Sequence, residues 1–399
     1  MIPYGKHYID EDDIQAVVDV LRSGFLTQGP TIAEFENAFS HYVGSKYAVA
    51  VSSCTAGLHL AAIAAGLGPG DTLITSPITF VASANAGLYA GGNVAFADIN
   101  PITVNMDPAA LAACLEDNPR TKVVVPVHFA GLPCEMEAIK NVCDRAEAVV
   151  VEDAAHALGA TYNNGQRVGS CCYSLMTVFS LHPVKTIAAG EGGVITTNDE
   201  STYRLLIRLR SHGITKLDDR FIIKEQAFTE KVPNPWYYEM QELGFHYRIT
   251  DIQCALALSQ LSKLDEFLKK RTEIAEKYDA AFAGSGYLKP FQSGKRHISG
   301  NHIYTLCIEF DKIGISRQKL MRCLNECGIG TQVHYLPVPM HPFYIQRGHN
   351  MAHLPQAANY YANTLTIPLF YSLSASDQGF IIDQLGNVLG YLLKKEELK

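Results

Sequence analysis

Charge is scarce in this sequence: 18% of its 399 residues are Asp, Glu, Lys or Arg, and the formal balance is -7 at pH 7. There is no long run of like charges and no low-complexity tract, so neither a disordered chain nor a basic footprint for nucleic acid is expected. Also missing is any uninterrupted apolar stretch of the ~18 residues that a membrane helix needs. The opening MIPYGKHYIDEDD has neither the basic start nor the apolar run of a signal peptide. A soluble, cytoplasmic protein is the expectation, with no membrane and no nucleic-acid partner. The 10 cysteines include the neighbours Cys171 and Cys172 and the pair Cys323 and Cys327, but no paired C-x-x-C arrangement. That pattern favours reduced structural thiols and gives no reason to expect a metal.

What the sequence does have is apolar material, 47% of it, in a chain longer than the roughly 250 to 300 residues at which single cores stop growing. Two domains are expected, a large one over 1–250 and a smaller one over 251–399. In the first, short apolar runs alternate with helical patterns. Strands are predicted at Tyr47–Val51, Thr72–Thr75, Val94–Ala97, Lys122–Val127, Ala148–Glu152, Ser174–Phe179 and Gly193–Thr196. Helices are predicted between them, at Ala56–Ala65, Thr79–Tyr89, Pro108–Glu116 and Cys134–Arg145. This alternation predicts an α/β fold with a mostly parallel sheet covered on both faces. Beyond Thr250 one long helix is expected over Asp251–Phe282, with Leu256, Leu261, Leu264 and Leu268 on one face. A strand at His302–Phe310, a helix at Ser316–Cys327, a strand at Gly330–Tyr335 and a helix at Ser374–Lys394 would complete a small α/β domain. The polar and aromatic stretch Lys216–Gln241, around the single tryptophan Trp236, reads as a surface excursion.

Four stations at strand ends are candidates for chemistry, because open α/β sheets bind ligands at that edge. Ser52 to Gly57 offers small residues, a helix N-terminus and the Thr55 hydroxyl, a combination suited to a phosphate. It is equally readable as a plain helix cap, and it lacks the lysine and glycine spacing of a Walker loop. Asp153, delivered by the apolar run before it, can hold a protonated pyridine nitrogen, though a cap or metal ligand has the same form. His156, three residues on, is by itself more often structural. Lys185 sits in a loop with Pro183 before it and Gly190, Gly192 and Gly193 after it. Partial desolvation there would lower the amine's basicity and favour Schiff-base chemistry. A lone lysine is ordinarily a solvated surface charge, and its company with Ser180, a second phosphate donor, gives the stronger argument. Phe80 can stack on a flat ring, or be core.

In their order, SSCTAGLHLA, SPITFVASANA, EDAAHALGA, FSLHPVKTIAAGEGGVITTN, LRSHGI and ELGFHYRITDIQCALALSQL resemble the DegT/StrS family of pyridoxal-phosphate (PLP) nucleotide-sugar aminotransferases. The similarity runs from LTQGP to IPLF, nearly the whole chain. It implies PLP-dependent transferase fold type I, like aspartate aminotransferase, and a homodimer with shared active sites. By resemblance Lys185 carries PLP as a Schiff base, Asp153 pairs with the pyridine nitrogen, Phe80 stacks on the ring and His156 neighbours it. Thr55, Ala56 and Ser180 would cradle the phosphate. Tyr4, the run Gly24, Phe25, Leu26 and Thr27, Arg248, and the pair His334 and Tyr335 correspond to positions lining the nucleotide-sugar site. Two departures stand out. His246 in GFHYR replaces the Asn that usually reaches across the dimer to the phosphate, yet retains a donor, and Cys54 stands where Gly or Ala is common. FSLHPVK, PWYYEMQELG, GIGTQVHY and HPFY resemble the branch serving pseudaminic-acid biosynthesis. That likeness implies L-glutamate as donor, 2-oxoglutarate as its product, pyridoxamine phosphate between half-reactions, and a UDP-linked 4-keto-6-deoxy amino sugar as acceptor. The alternatives are a 3- or 4-aminotransferase for dTDP- or GDP-sugars and a PLP-binding regulatory protein without turnover. Lys185 itself argues against the 3-dehydrating relatives, which typically carry histidine there.

Overall fold

The computed structural model describes residues 1–217 and 220–397. Its centre is a seven-stranded sheet: β1 (Tyr47–Val51), β2 (Thr72–Thr75), β3 (Asn93–Phe96), β4 (Thr121–Val125), β5 (Val149–Asp153), β6 (Met176–Ser180) and β7 (Gly193–Thr197). The strands lie in the order β1-β7-β6-β5-β4-β2-β3. Pairings from β3 across to β6 are parallel, whereas β7 runs antiparallel to both β6 and β1. Strands β2, β6 and β7 are buried along their whole length, which is why they read as unbroken apolar or β-branched runs. The helix Cys54–Ala64 packs on one face, and its Ala56, Gly57, Leu58, His59, Leu60, Ala61 and Ala62 are all buried. Small residues let it lie close: a Cβ on Gly57 would stand 2.8 Å from Val178 of β6. On the other face Phe35, Phe39 and Phe179 form an edge-to-face chain, with centroids 5.7 and 5.1 Å apart.

Two expectations fail beyond residue 250. The long helix is broken into Asp251–Ser262 and Leu264–Phe282. At the junction the Lys263 N–H turns tightly to the carbonyls of Gln260 and Leu261. Its ammonium is drawn to the buried Asp13, 3.0 Å away, and to Asp10. A periodic apolar face cannot register this, because the partner is some 250 residues distant in sequence. Second, Gly330–Tyr335 is not a strand. It touches the small sheet at one point, where Gln332 and Thr366 exchange backbone hydrogen bonds of 3.1 and 2.8 Å, and then turns away. The third strand of that sheet is Thr364–Ile367, antiparallel to Tyr304–Cys307, with Lys289–Pro290 on the far side.

Around this small sheet a second core gathers Tyr278, Phe282, Tyr304, Leu306, Leu320, Leu365, Ile381 and Leu385. The helix Arg317–Glu326 is capped by the Ser316 side chain, which accepts from the Lys319 N–H. Gly328 follows it at φ 80°, a conformation that favours glycine. The N-terminal residues belong here: the Ile2 N–H donates to Gly328 O at 2.7 Å, and Gly330 N–H returns to Ile2 O at 2.8 Å. Of the excursion Lys216–Gln241, Asp218 and Asp219 lie outside the described residues, and Ile222, Val232 and Trp236 are exposed. Among the described residues no helix is long and apolar enough to cross a membrane.

Candidate active site

Because β7 is reversed, its first residue, Gly193, lies at the same sheet edge as the last residues of β1, β5 and β6. It pairs with Val51 on one side and Ser180 on the other. A cleft of about 580 Å³ opens along this edge. Of the residues singled out from sequence, Tyr4, Thr55, Phe80, Asp153, His156, Ser180, Lys185, His334 and Tyr335 line it. Ala56 sits just behind, its N–H taken at 3.1 Å by the Ser53 side chain that caps the helix. Other expected residues lie outside the cleft of this protomer. Gly24, Phe25, Leu26 and Thr27 are exposed, with Thr27 bridged to Thr250, and Arg248 belongs to the segment leading into that bridge. His246 is exposed and stacked on His212, with centroids 5.4 Å apart.

The cleft floor has three chemical parts. At the start of the helix Cys54–Ala64, the N–H groups of Cys54 and Thr55 find no acceptor among the described residues, and the helix dipole adds positive potential there. At the end of β5 the buried Asp153 accepts from Ser83 Oγ at 2.6 Å and from the Ala155 N–H at 3.0 Å. Thr79 in turn steadies Ser83 at 2.7 Å. No cation of the described chain forms a salt bridge with Asp153. Beyond β6 stands Lys185, whose amine burial pulls down to about 8, with the opposing influence of Cys54 and Asp153 holding it from falling further. Burial and the negative charge of Asp153 push the Cys54 thiol well up, so it stays protonated.

Above the floor, His156 Nε2 and the Tyr335 hydroxyl are 3.0 Å apart, and Phe80, 61% exposed, forms part of the rim. His334 Nδ1 is 3.0 Å from Thr366 Oγ1, and burial with the Lys185 charge takes that imidazole down to about 3. Sequence reasoning missed Ser83, His302 and Gln332. Ser83 was one hydroxyl in a small-residue helix, and His302 and Gln332 arrive from the small domain, where no strand-end pattern marks them. Behind Asp153, Glu152 is fully buried and accepts from His128, Tyr162, Ser174 and Thr177 at 2.7, 2.6, 2.5 and 3.1 Å. His128 Nδ1 already accepts the Cys134 N–H at 3.1 Å, so its proton is on Nε2, facing Glu152. Among the described residues no group of three His, Cys, Asp or Glu could hold a metal ion.

Gly193 is the tightest point of this edge. A Cβ there would stand 2.7 Å from Cys54 N and from Ser53 C, so Gly193→Ala would push against the backbone carrying the free amides. The expected result is a loss of about 1–3 kcal/mol in urea unfolding, together with at least a tenfold loss of phosphate-ester binding. An alanine variant unchanged in both would show that this contact relaxes freely.

A buried carboxylate in no salt bridge among the described residues, a weakly basic lysine and a pair of open helix amides meet at one sheet edge, a donor set that could hold an aromatic, nitrogen-containing phosphate ester. The model of the DegT/DnrJ/EryC1/StrS aminotransferase family matches residues 7–386, and the chain belongs to that family. It is 41% identical over 393 residues to the spore coat polysaccharide biosynthesis protein SpsC of Bacillus subtilis, covering 97% of each chain. It is 35% identical over 390 residues, 98% of each, to the UDP-4-amino-4,6-dideoxy-N-acetyl-beta-L-altrosamine transaminase of Campylobacter jejuni. Among solved structures, the putative sugar aminotransferase Spr1654 of Streptococcus pneumoniae in its PMP form superposes with a TM-score of 0.88. That pair is 31% identical, covering 98% of this chain and 100% of that one.

Proposed function

We propose that this chain is a PLP-dependent nucleotide-sugar aminotransferase that moves the amino group of L-glutamate to C4 of a UDP-linked 4-keto-6-deoxy-N-acetylhexosamine. The product would be a UDP-4-amino-4,6-dideoxy sugar for pseudaminic-acid biosynthesis. The observation that carries the proposal is Lys185, depressed in basicity, facing the unpaired carboxylate of Asp153 beside the open amides of Cys54 and Thr55. These residues fit PLP: Asp153 for the pyridine nitrogen, the amides with Thr55 and Ser180 hydroxyls for the phosphate, Phe80 for a ring face and Lys185 for the aldehyde carbon. When bound, PLP supplies an electron sink conjugated to the carbon that exchanges its proton.

The chain's own groups do the rest. Asp153, fixed by Ser83 and the Ala155 N–H, presents its carboxylate to a cationic ring nitrogen. Lys185 Nζ, as a free amine of lowered basicity, would be a base of suitable strength to take a proton from the donor's Cα and to return it. Tyr335 holds the His156 ring in place at the cleft wall. We further propose a homodimer in which Gly24 to Thr27, His246 and Arg248 serve the partner's cleft. The residue ranges 1–250 and 251–399 are proposed as its two domains, with the first residues, around Ile2, attached to the second.

The test is spectroscopic, followed by product identification. Glutamate should bleach the cofactor band near stoichiometrically, and a UDP-4-keto-6-deoxy-N-acetylhexosamine should restore it, with mass spectrometry showing the 4-amino sugar. The 41% identity to a spore coat polysaccharide protein makes dTDP- and GDP-4-keto sugars the necessary comparison. Recovery with one of those alone would move the assignment to another nucleotide sugar. Absence of bleaching with any amino donor would end the aminotransferase reading for this chain.

A further inference from the structure

Lys185 can tether the cofactor covalently in only one half of an amino exchange. In the other half the amino group sits on the cofactor, and pyridoxamine phosphate has to be kept by contacts alone. The cleft floor offers such contacts at two ends, the amides of Cys54 and Thr55 for the phosphate and Asp153 for the ring nitrogen. How firmly the second end holds depends on what fixes Asp153.

Its carboxylate takes one donor on each oxygen, the Ala155 N–H on Oδ1 at 3.0 Å and Ser83 Oγ on Oδ2 at 2.6 Å. The first comes from two residues further along the same segment and moves with it. The second comes from a different element, the helix Ala82–Tyr89. Ser83 has a single proton to give. Asp153 takes it at 2.6 Å, against 3.4 Å to the Phe80 carbonyl. The 2.7 Å contact between Thr79 and Ser83 therefore runs from Thr79 Oγ1 to Ser83 Oγ, and the chain of hydroxyls is directed toward the carboxylate.

The support behind this chain is firm. Ser83, Thr79 and Asp153 are 0%, 3% and 4% exposed, so the hydroxyl pair is complete within one protomer. Small-domain residues pin the helix on either side of Ser83: the Val338 N–H donates to Pro77 O at 2.9 Å, and the Tyr344 hydroxyl to Asn85 Oδ1 at 2.7 Å. Phe80 lies between the two hydroxyls in sequence, and its carbonyl accepts the Ser83 N–H at 3.3 Å. One turn thus sets both contacts available to an untethered ring, at its nitrogen and on its face. Ser83 is not among the residues lining the cleft and acts through Asp153.

We propose that Ser83, oriented by Thr79, is a positioning residue that keeps the untethered cofactor in the cleft between half-reactions, by holding the Asp153 carboxylate where the ring nitrogen meets it. This rests on the aminotransferase reading above. Loss of the hydroxyl chain is felt most when no bond to Lys185 exists, and least when Lys185 itself holds the cofactor.

The probe is pyridoxamine phosphate, added to the PLP-free full-length protein and followed by equilibrium dialysis, with inorganic phosphate measured alongside. Ser83→Ala should bind pyridoxamine phosphate about tenfold more weakly, and Ser83→Thr should recover most of that loss. Inorganic phosphate should bind all three proteins alike. The loaded enzyme gives a second reading by gel filtration before and after glutamate: Ser83→Ala should keep its PLP but shed the cofactor once glutamate has converted it. In the Asp153→Asn background, where no carboxylate receives the hydroxyl, Ser83→Ala should change the pyridoxamine phosphate affinity by less than about twofold. A full tenfold loss in that background would mean that Ser83 acts by another route and overturns the proposal. So does an unchanged affinity in Ser83→Ala, or an equal loss of inorganic phosphate. If Ser83→Ala does not fold, Thr79→Val, which keeps the shape and drops the donor, decides instead: a loss of roughly threefold is expected, and none overturns the proposal. If glutamate leaves the parent's cofactor unconverted while the dialysis results hold, the aminotransferase reading is what fails.

Discussion

Lys185→Ala is expected to lose both half-reactions while keeping the fold. Removing the proton-transferring amine alone costs on the order of 10²–10⁴ in rate, and losing the covalent tether adds to it, so steady-state turnover should vanish against background. The variant should still bind PLP noncovalently, because the amides of Cys54 and Thr55, Ser180 and Asp153 are untouched. Borohydride followed by peptide mapping is the direct check: label on the Lys185 peptide in the parent, none in the variant. In the PLP-free protein the Lys185 amine titrates near 8, below the ordinary lysine value because burial disfavours its charged form. The free-base fraction therefore rises through pH 8, and the rate of PLP capture should climb across pH 7 to 9 and level off. A capture rate flat over that interval, or one climbing only near pH 10, would contradict a desolvated amine.

Asp153→Asn should be the second most damaging change, through a different physical route. In the PLP-free protein the buried Asp153 carboxylate forms no salt bridge among the described residues, and in Asn the Oδ1 can still accept the Ala155 N–H while the Nδ2 donates to a rotated Ser83 hydroxyl. The PLP-free variant should therefore be as stable as the parent or more so. Loaded with PLP the order reverses, since the ring nitrogen loses its ionic partner. Truncating such a buried pair costs about 2–5 kcal/mol, or roughly 30- to 5,000-fold in rate. Differential scanning fluorimetry with and without PLP separates the two states. If the variant is destabilised equally in both, Asp153 acts on the fold and not on the ring.

The large sheet was legible in the sequence because its strands are buried on both faces. All seven predicted strands, from Tyr47–Val51 to Gly193–Thr196, fall within two residues of those observed. Strand ends are where chemistry gathers in such sheets, so Thr55, Phe80, Asp153, Ser180 and Lys185 could be nominated by position. The reversal of β7 could not be read, because a short buried run such as GVITT looks the same in either direction. Gly193 was seen only as backbone permissiveness, whereas its pairing with both Val51 and Ser180 makes it the tight point of the site. Farther along, Thr364–Ile367 is four residues long and flanked by helices, too short a run to outweigh the apparent alternation at Gly330–Tyr335. His302 was invisible for a deeper reason: its partners His156, Lys185 and Arg271 come from three other parts of the chain, and no spacing encodes that meeting.

The attachment of Ile2 to Gly328 and Gly330, with Tyr4 O accepting from Leu369 N–H at 3.1 Å, bears on how the cleft comes into being. Tyr4 is a cleft residue whose anchors lie more than 320 positions downstream. During synthesis the large sheet can close as soon as β7 has emerged, but Tyr4 must wait for residues 328–369 before it has anything to hold. The wall bearing Tyr4, His334 and Tyr335 is thus assembled last, over contacts that close loops of more than 320 residues. A nascent chain halted before residue 328 would contain Lys185 and Asp153 on a formed sheet edge and yet have only one side of its cleft.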